Sequence, residues 1–359
     1  MAATAVLCGC FLIQLLYFLS VLESLQVAIQ ATQTVNAQGA QRLVILGTGG
    51  TIAGRAAQAG DNVGYVAGQV SVGDLVAAVP MLKDLLLDVE QVAQLDSKDM
   101  DFAVWKALAA RVAFHLERPD VKGVVITHGT DTMEETAFFL QSVLKPTKPV
   151  VLTCAMRPAT ALVPDGPQNL SDAVVVARHV GAQGVTVVCA GQVHGADDVT
   201  KVHTYRLDAF DSGDVGPLGC VEEGVVRLFR PWPTGSVAGL LDTTACDRVQ
   251  ASLALPRVML LTSHADTDGL VVQALLAQSS SGAAQPLRGI VVAGTGNGTL
   301  HKHLEAALLE AQAQGIRVVL TSRCVRGRVL AHPGQRLSEV SHLSPVKSRI
   351  ALALDLLTS

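Results

Sequence analysis

The chain predicts an α/β fold: a larger N-terminal domain with a mostly parallel sheet, plus a smaller C-terminal α/β domain. Three observations carry this. The 359 residues suffice for about two domains at roughly 100–200 residues each. Short Val- and Ile-rich runs recur from residue 42 onward without polar alternation, as strands covered on both faces require. Longer stretches with helical spacing separate them, and strands alternating with helices build parallel sheets. At 49% hydrophobic and 16% charged residues the chain can bury a sizeable core, which excludes a disordered polymer. A net charge of −4 excludes charge-driven, non-specific nucleic-acid binding. Only 4% of residues are aromatic, so the core is aliphatic and a stacking platform for bases is not expected.

The first element is the apolar run 5–22, AVLCGCFLIQLLYFLSVL, long enough to resemble a membrane helix. No Lys or Arg precedes Arg42, and Glu23 is the one acidic residue before it. Val35 and Ala37 put small residues at the −3 and −1 positions of a cleavage site, so 1–37 reads as a signal peptide of a periplasmic or secreted protein. Cleavage there leaves 322 residues and a charge of −3, since Glu23 is lost and no basic residue is. The usual basic n-region is missing. A retained anchor, or a start codon set too far upstream of a cytoplasmic protein, therefore stays open.

Strands are expected at Leu43–Leu46, Val124–Thr127, Val150–Thr153, Val185–Cys189, Val258–Leu261, Ile290–Ala293 and Val318–Thr321. Helices are expected at Asp101–Leu116, Thr132–Leu144, Gln168–Val180, Leu270–Gln278, Leu300–Gln314 and Pro345–Leu357. In the first helix Phe102, Trp105, Leu108, Val112 and Leu116 share one side. In the second, Glu134 and Glu135 occupy the first turn, where acidic groups suit the helix dipole. VEEGVV reads as a tight hairpin around Gly224. The prolines and glycines of FRPWPTGSVAG mark a break, giving a first domain over 41–228, a linker over 229–256 and a second domain over 257–359. Ser279–Gly282 reads as a surface loop. Beyond the leader, five cysteines (Cys154, Cys189, Cys220, Cys246 and Cys324) show neither metal-ligand spacing nor a disulfide framework. Cys154 and Cys189, in apolar runs, read as buried small hydrophobes.

Three strand-end loops could carry chemistry. LGTGGTIAG follows the first strand, where α/β sheets bind ligands. A dinucleotide fingerprint starting at Gly47 needs glycine at 52, where the chain has Ile52. Glycines that admit a substrate, with Thr51 as a hydroxyl nucleophile under a flap over 53–68, are one reading. A tight turn with a hydrogen-bonding threonine is the other. THGTDTMEET opens the helix at Thr132. Asp131 with Glu134 reads as a capping-box-like start and Thr130 as a cap, or else Thr130 and Asp131 sit at a ligand crevice, where Asp131 can bind a substrate ammonium. His128 reads as structural rather than as a base. DDVTK is a solvated loop unless the fold returns Lys201 to Thr130 and Asp131. Ser97-Lys98-Asp99-Met100 reads either as a cap for the next helix or as part of the crevice. The sequence shows no metal cluster, no phosphate P-loop and no G-x-S-x-G elbow.

Taken in order, GTGGTIAG, SKDM, THGTDTMEET, AMRP, DGPQNL, DDVTK, GPLG and AGTGNG resemble the bacterial type II L-asparaginases, from about residue 42 to the C-terminus. The resemblance implies an amidohydrolase converting L-asparagine to L-aspartate and ammonia, with L-glutamine as a lesser substrate and no metal or organic cofactor. It implies Thr51 as the nucleophile of an acyl-enzyme and Tyr65 as the flap tyrosine bonded to it. Thr130, Asp131 and Lys201 become the proton-transfer set, with Asp131 also binding the α-amino group. Ser97 holds the α-carboxylate, and Asn297 reaches the site of a neighbouring subunit. A homotetramer with active sites at subunit interfaces is implied, and no nucleic-acid partner. Whether Lys201 serves as a base or as a charged partner stays open, since a lysine keeps its proton unless desolvated. The chain departs from the family in three places. Lys98 stands where a Gln or Glu is usual, so it can meet a substrate carboxylate or a nearby acid. The region 324–344 is shorter than in many relatives, with Glu339 the nearest match for a donated acidic residue. Arg118 and Pro146 stand where some secreted members have a disulfide. Alternatives are a broad glutaminase-asparaginase, or a catalytically silent amino-acid-binding protein on the same fold. A deamidase subunit acting on aminoacyl-tRNA would need a basic RNA-binding portion, which the sequence lacks.

Overall fold

The computed structural model describes residues 41–58, 60–233, 245–281 and 284–358. The expected signal peptide over 1–37 lies outside them.

Fifteen strands are present among these residues: β1 Arg42–Gly49, β2 Arg55–Ala56, β3 Tyr65–Val66, β4 Leu87–Leu95, β5 Val121–Thr127, β6 Pro149–Thr153, β7 Gly184–Cys189, β8 Gln192–Gly195, β9 Thr200–Lys201, β10 Phe210–Asp211, β11 Gly219–Glu222, β12 Val225–Leu228, β13 Arg257–Thr262, β14 Leu287–Gly294 and β15 Arg317–Ser322. The helices are α1 Val72–Ala77, α2 Phe102–Glu117, α3 Met133–Leu144, α4 Gly166–Arg178, α5 Ala245–Ala251, α6 Leu270–Ser280, α7 Lys302–Ala313 and α8 Pro345–Thr358. The larger sheet has eight strands in the order β12-β11-β8-β7-β6-β5-β1-β4. Its β4-β1-β5-β6-β7 portion is parallel, and β8, β11 and β12 extend it antiparallel. A separate parallel sheet, β13-β14-β15, follows. The expected α/β class and its division into a large and a small sheet therefore hold.

Alternation within the strands explains why the runs are uniformly apolar. Val44, Leu46, Val124, Ile126 and Leu152 pack on one face of the large sheet with Trp105, Leu108, Phe138 and Phe139 of α2 and α3. Leu43, Ile45, Val125 and Val151 pack on the other with Leu170, Ala173 and Ala177 of α4. Both faces are covered, so no polar alternation survives. The last helix joins the two parts. Ile350 and Leu354 of α8 enter the first core, while Leu352, Ala353 and Leu356 pack on Val258, Val291 and Val319 of the small sheet. Each such aliphatic burial contributes about 1.5–3 kcal/mol.

Several elements differ from the sequence expectation. β4 was not among the expected strands, although the run before Ser97 reads as strand-like. It is the edge of the large sheet and mostly half-buried, so polar residues alternate through it. The segment 229–256 contains α5, whose Val249 is buried in the first core, while residues 234–244 lie outside the described ones. Ser279 and Ser280 are the last turn of α6 rather than loop; Ser279 Oγ accepts the Leu287 amide at 3.0 Å, and Gly282 lies outside the described residues. The hairpin at Gly224 is formed, with that glycine at φ 73°.

Candidate active site

Thr51, Ser97, Thr130 and Asp131 sit on loops at the carboxyl ends of three neighbouring strands, β1, β4 and β5. β1 ends at Gly49 and Gly50 follows it, both at positive φ, and Thr51 begins a short 3-10 turn, Thr51–Ala53. The turn is held by Gly50 N–H donating to the Leu95 carbonyl at 2.8 Å. The chain then leaves and returns: β2 pairs with β3, and the amides of Gln69 and Val70 donate to the Ala53 carbonyl. That return brings the Tyr65 hydroxyl to 2.6 Å from Thr51 Oγ1. The Tyr65 ring lies against Gly54, where a Cβ would meet it at 2.7 Å. Thr51 is buried, so its hydroxyl has this phenol as a defined partner.

The β5 loop lies directly behind. A Cβ on Gly50 would fall 2.3 Å from both the nitrogen and Cα of Gly129, so the two loops touch through backbone. Gly129 in turn leaves no room for a side chain beside Ser97 Oγ, at 2.5 Å. Ser97 is buried; its Oγ accepts the Asp131 amide at 3.2 Å, and its carbonyl accepts the Thr132 hydroxyl at 2.7 Å. Its own hydroxyl proton remains for a ligand. Lys201, on β9, reaches back to this loop. Its Nζ donates to Thr130 Oγ1 at 2.9 Å and to Asp131 Oδ1 at 2.6 Å. The solvated-loop reading of Lys201 is thus replaced by a charged contact across 70 residues of sequence. The capping-box reading fails as well. Thr132 is the N-cap of α3 and makes no side-chain cap, and Glu134 instead accepts the Lys201 amide at 3.0 Å. Ser97–Asp99 forms its own short turn, and Asp101 rather than Ser97 caps α2.

The remaining candidates are placed elsewhere. Lys98 is exposed, and its ammonium bonds to Asp96 at 2.8 Å and Asp99 at 3.1 Å, the nearby acids rather than the crevice. Asn297 bonds in both directions with the backbone of Leu330, at 2.7 and 2.8 Å, apart from this chain's Thr51 loop. Glu339 is paired with Arg317. Arg118 binds Asp88 and Asp120, and its carbonyl accepts Lys148, so the disulfide position is occupied by a charge network. His128 is wholly buried, and desolvation pulls its pKa down to about 4. Its Nδ1 donates to the Gly129 carbonyl at 2.7 Å, a neutral structural role. Cys154 and Cys189 are buried free thiols with sulfurs 3.6 Å apart. Among the described residues no three His, Cys, Asp or Glu are grouped as a metal would need.

Sequence reasoning passed over two side chains that support Lys201. Glu134 was read only for the helix dipole and a capping box. Lys347 was hidden inside the apolar pattern of α8, on the same stripe as Ile350 and Leu354, which was its one signal.

Residues 42–234 match the family described as Asparaginase, N-terminal, and residues 257–358 match the Glutaminase/Asparaginase C-terminal domain. The chain belongs to the asparaginase family. L-asparaginase 2 of Escherichia coli is 38% identical over 322 residues, 88% of each chain. Glutaminase-asparaginase of Pseudomonas fluorescens is 35% identical over 350 residues, 95% of this chain and 92% of that one. Among solved structures, a probable cytoplasmic L-asparaginase from Campylobacter jejuni superposes with a TM-score of 0.79 at 37% identity, covering 89% of this chain and 96% of its own. The asparaginase fold thus spans the two family regions, and the site described above lies in the first of them.

Proposed function

We propose that this asparaginase-family protein is an L-asparagine amidohydrolase working through a Thr51 acyl-enzyme. The observation that carries the reading is the Thr51–Tyr65 contact of 2.6 Å, set in a loop whose backbone touches the Thr130–Asp131 loop. In this reading Thr51 Oγ1 attacks the side-chain amide carbon, and its proton passes through the Tyr65 hydroxyl, which gives up its own proton in exchange, to the Thr130–Asp131–Lys201 set. The Thr130–Asp131–Lys201 set supplies a proton to the departing ammonia and then orients the water that cleaves the ester, regenerating Thr51. A poor electrophile such as an amide needs this division into two steps, together with protonation of its leaving group. In the same reading Asp131, half-exposed beside Lys201, binds the α-ammonium, and the free proton of Ser97 suits the α-carboxylate.

A broader glutaminase-asparaginase is the second reading, favoured by the relative of that name. The homotetramer, with Asn297 completing a neighbour's site, is part of the proposal and is tested by light scattering. Export through cleavage after Ala37 is also part of it and is tested by N-terminal sequencing of fractionated protein. The central experiment is ammonia release from L-Asn and L-Gln. Thr51→Ala is expected to lose roughly 10³-fold or more in kcat. A mutant retaining full activity overturns the mechanism, and an inactive wild type favours the silent binding protein.

A further inference from the structure

Lys347 is among the largest fully buried side chains, on a helix otherwise packed with aliphatic residues. A lysine is rarely enclosed without a specific partner. Its Nζ donates to two backbone carbonyls, Asp197 at 3.0 Å and Val199 at 2.5 Å. Both belong to the short segment that leads into β9 and ends at Lys201. The same segment is held from a second side: Glu134 accepts the Lys201 amide at 3.0 Å. Glu134 and Lys347 also attract one another electrostatically across this segment. Two residues on, Arg349 of α8 approaches Glu135 of α3 at 3.5 Å. Two cations of the last helix therefore face two glutamates at the start of the helix that follows Thr130 and Asp131.

We infer that Lys347 is a positioning residue: it clamps the Asp197–Lys201 segment so that the Lys201 ammonium is held between Thr130 and Asp131. The geometry leaves this segment few alternatives. β9 is two residues long and pairs with β10 through Phe210 and Asp211 alone, so the sheet does little to fix Lys201. The carbonyls that Lys347 binds lie two and four residues before Lys201, while Glu134 takes its amide. Together they set where the backbone ends and where the side chain starts. Burial lowers the Lys347 pKa to about 8, with Glu134, Asp197 and Asp198 pulling it back up. An ammonium kept at such a place, where its removal would strand two carbonyls without their donor, points to the donors it supplies. Lys347 lies beyond the break in the sequence, within the match to the C-terminal family domain. A residue of that part thus reaches into the catalytic half of its own chain.

This inference rests on the proton-transfer role proposed for Lys201, and its test separates the two. L-Asparagine and L-aspartic acid β-hydroxamate differ in leaving group. Ammonia must be protonated as it departs, whereas hydroxylamine is much less basic and depends less on an acid. The readout is the ratio of kcat/KM for the amide to that for the hydroxamate. A ratio does not change when part of a preparation is unfolded, so a merely structural defect leaves it alone. Lys347→Met in the full chain is expected to lower the ratio about tenfold. Glu134→Gln keeps the shape and an oxygen acceptor for the Lys201 amide, and is expected to lower it about threefold; it carries the test if Lys347→Met does not fold. Lys201→Met is run alongside. If it lowers the ratio while both other variants keep the wild-type value, the positioning inference is overturned and the role of Lys201 stands. If Lys201→Met itself leaves the ratio unchanged, the proton-transfer reading falls and the inference falls with it.

Discussion

The close approach of Gly50 to Gly129 couples the Thr51 loop mechanically to the Thr130–Asp131 loop, and Gly50→Ala tests this. Gly50 has φ 79° and ψ −171°, a conformation open almost only to glycine. A side chain there adds about 1–3 kcal/mol of backbone strain. The larger effect is steric. The new Cβ would stand 2.3 Å from two backbone atoms of Gly129, against 3.4 Å for ordinary contact, so the loops must separate by about 1 Å. Backbone cannot rotate away as a side-chain tip can. Thr51 follows one glycine and Thr130 the other, so the separation is imposed on the proposed nucleophile and on the proposed proton-transfer set. A misplacement of about 1 Å in an active site can lower the rate roughly 100-fold. The control is Gly181→Ala, which has the same φ of +79° but nothing within 4 Å of its new Cβ. Ammonia release and thermal unfolding are measured for both. Gly181→Ala should lose stability and keep kcat, whereas Gly50→Ala should lose both. If Gly50→Ala keeps more than about a third of the wild-type kcat, the loops are not coupled as described.

Two further outcomes follow from charges. Lys98→Gln leaves Asp96 and Asp99 without their ammonium, one residue from the serine proposed to hold the substrate carboxylate. Because Lys98 is exposed and screened, KM for L-Asn should rise only about twofold, less at high salt, and the Asn-to-Gln ratio should shift; identical kcat/KM for both amides would count against this. The second concerns acid. Burial holds His194 near pKa 4, with Arg230 and Lys347 also lowering it and Asp211 and Asp198 opposing. As pH falls from 6.5 toward 4 the unfolded chain takes a proton that the folded chain refuses, so stability is lost across that window, by about 3 kcal/mol for this group. Raised carboxyls such as Glu134 and Glu135 act in the opposite sense, so the test is a difference. Denaturant unfolding of His194→Gln should show a shallower loss between pH 7 and 4.5 than wild type. Parallel curves would refute the assignment.

What the sequence reveals divides along physical lines. Strands buried on both faces announce themselves, because each residue meets a core; each of the seven expected strand runs lies within an observed strand. An edge strand such as β4 satisfies a core on one side and water on the other, so its polar residues mask it. The short antiparallel ladder β8-β11-β12 has too few residues for a period to emerge. The site was legible as motifs and not as a place. Nothing in the spacing of TGGT, SKDM and HGTD says that they meet. They meet because β4, β1 and β5 are neighbours in the sheet order although other segments intervene in the chain. Parallel strands deliver their following loops to the same edge, which is where ligands bind in such sheets.

The same reasoning explains why Lys201 and Lys347 were harder to read than Thr51. Thr51 is fixed by its own strand and the adjoining glycines, so its surroundings are written close to it in sequence. Lys201 stands on a two-residue strand and depends on contacts from two distant helices. One of its supports, Lys347, binds carbonyls, and a carbonyl leaves no mark on the identity of the residue that carries it. Asp197 and Val199 could change their side chains and still accept the same bonds. A buried lysine on an apolar helical stripe is then the sole trace of the contact in the sequence. It is an anomaly that points to a partner without naming it, and only the packing of α8 against the Asp197–Val199 segment supplies the name.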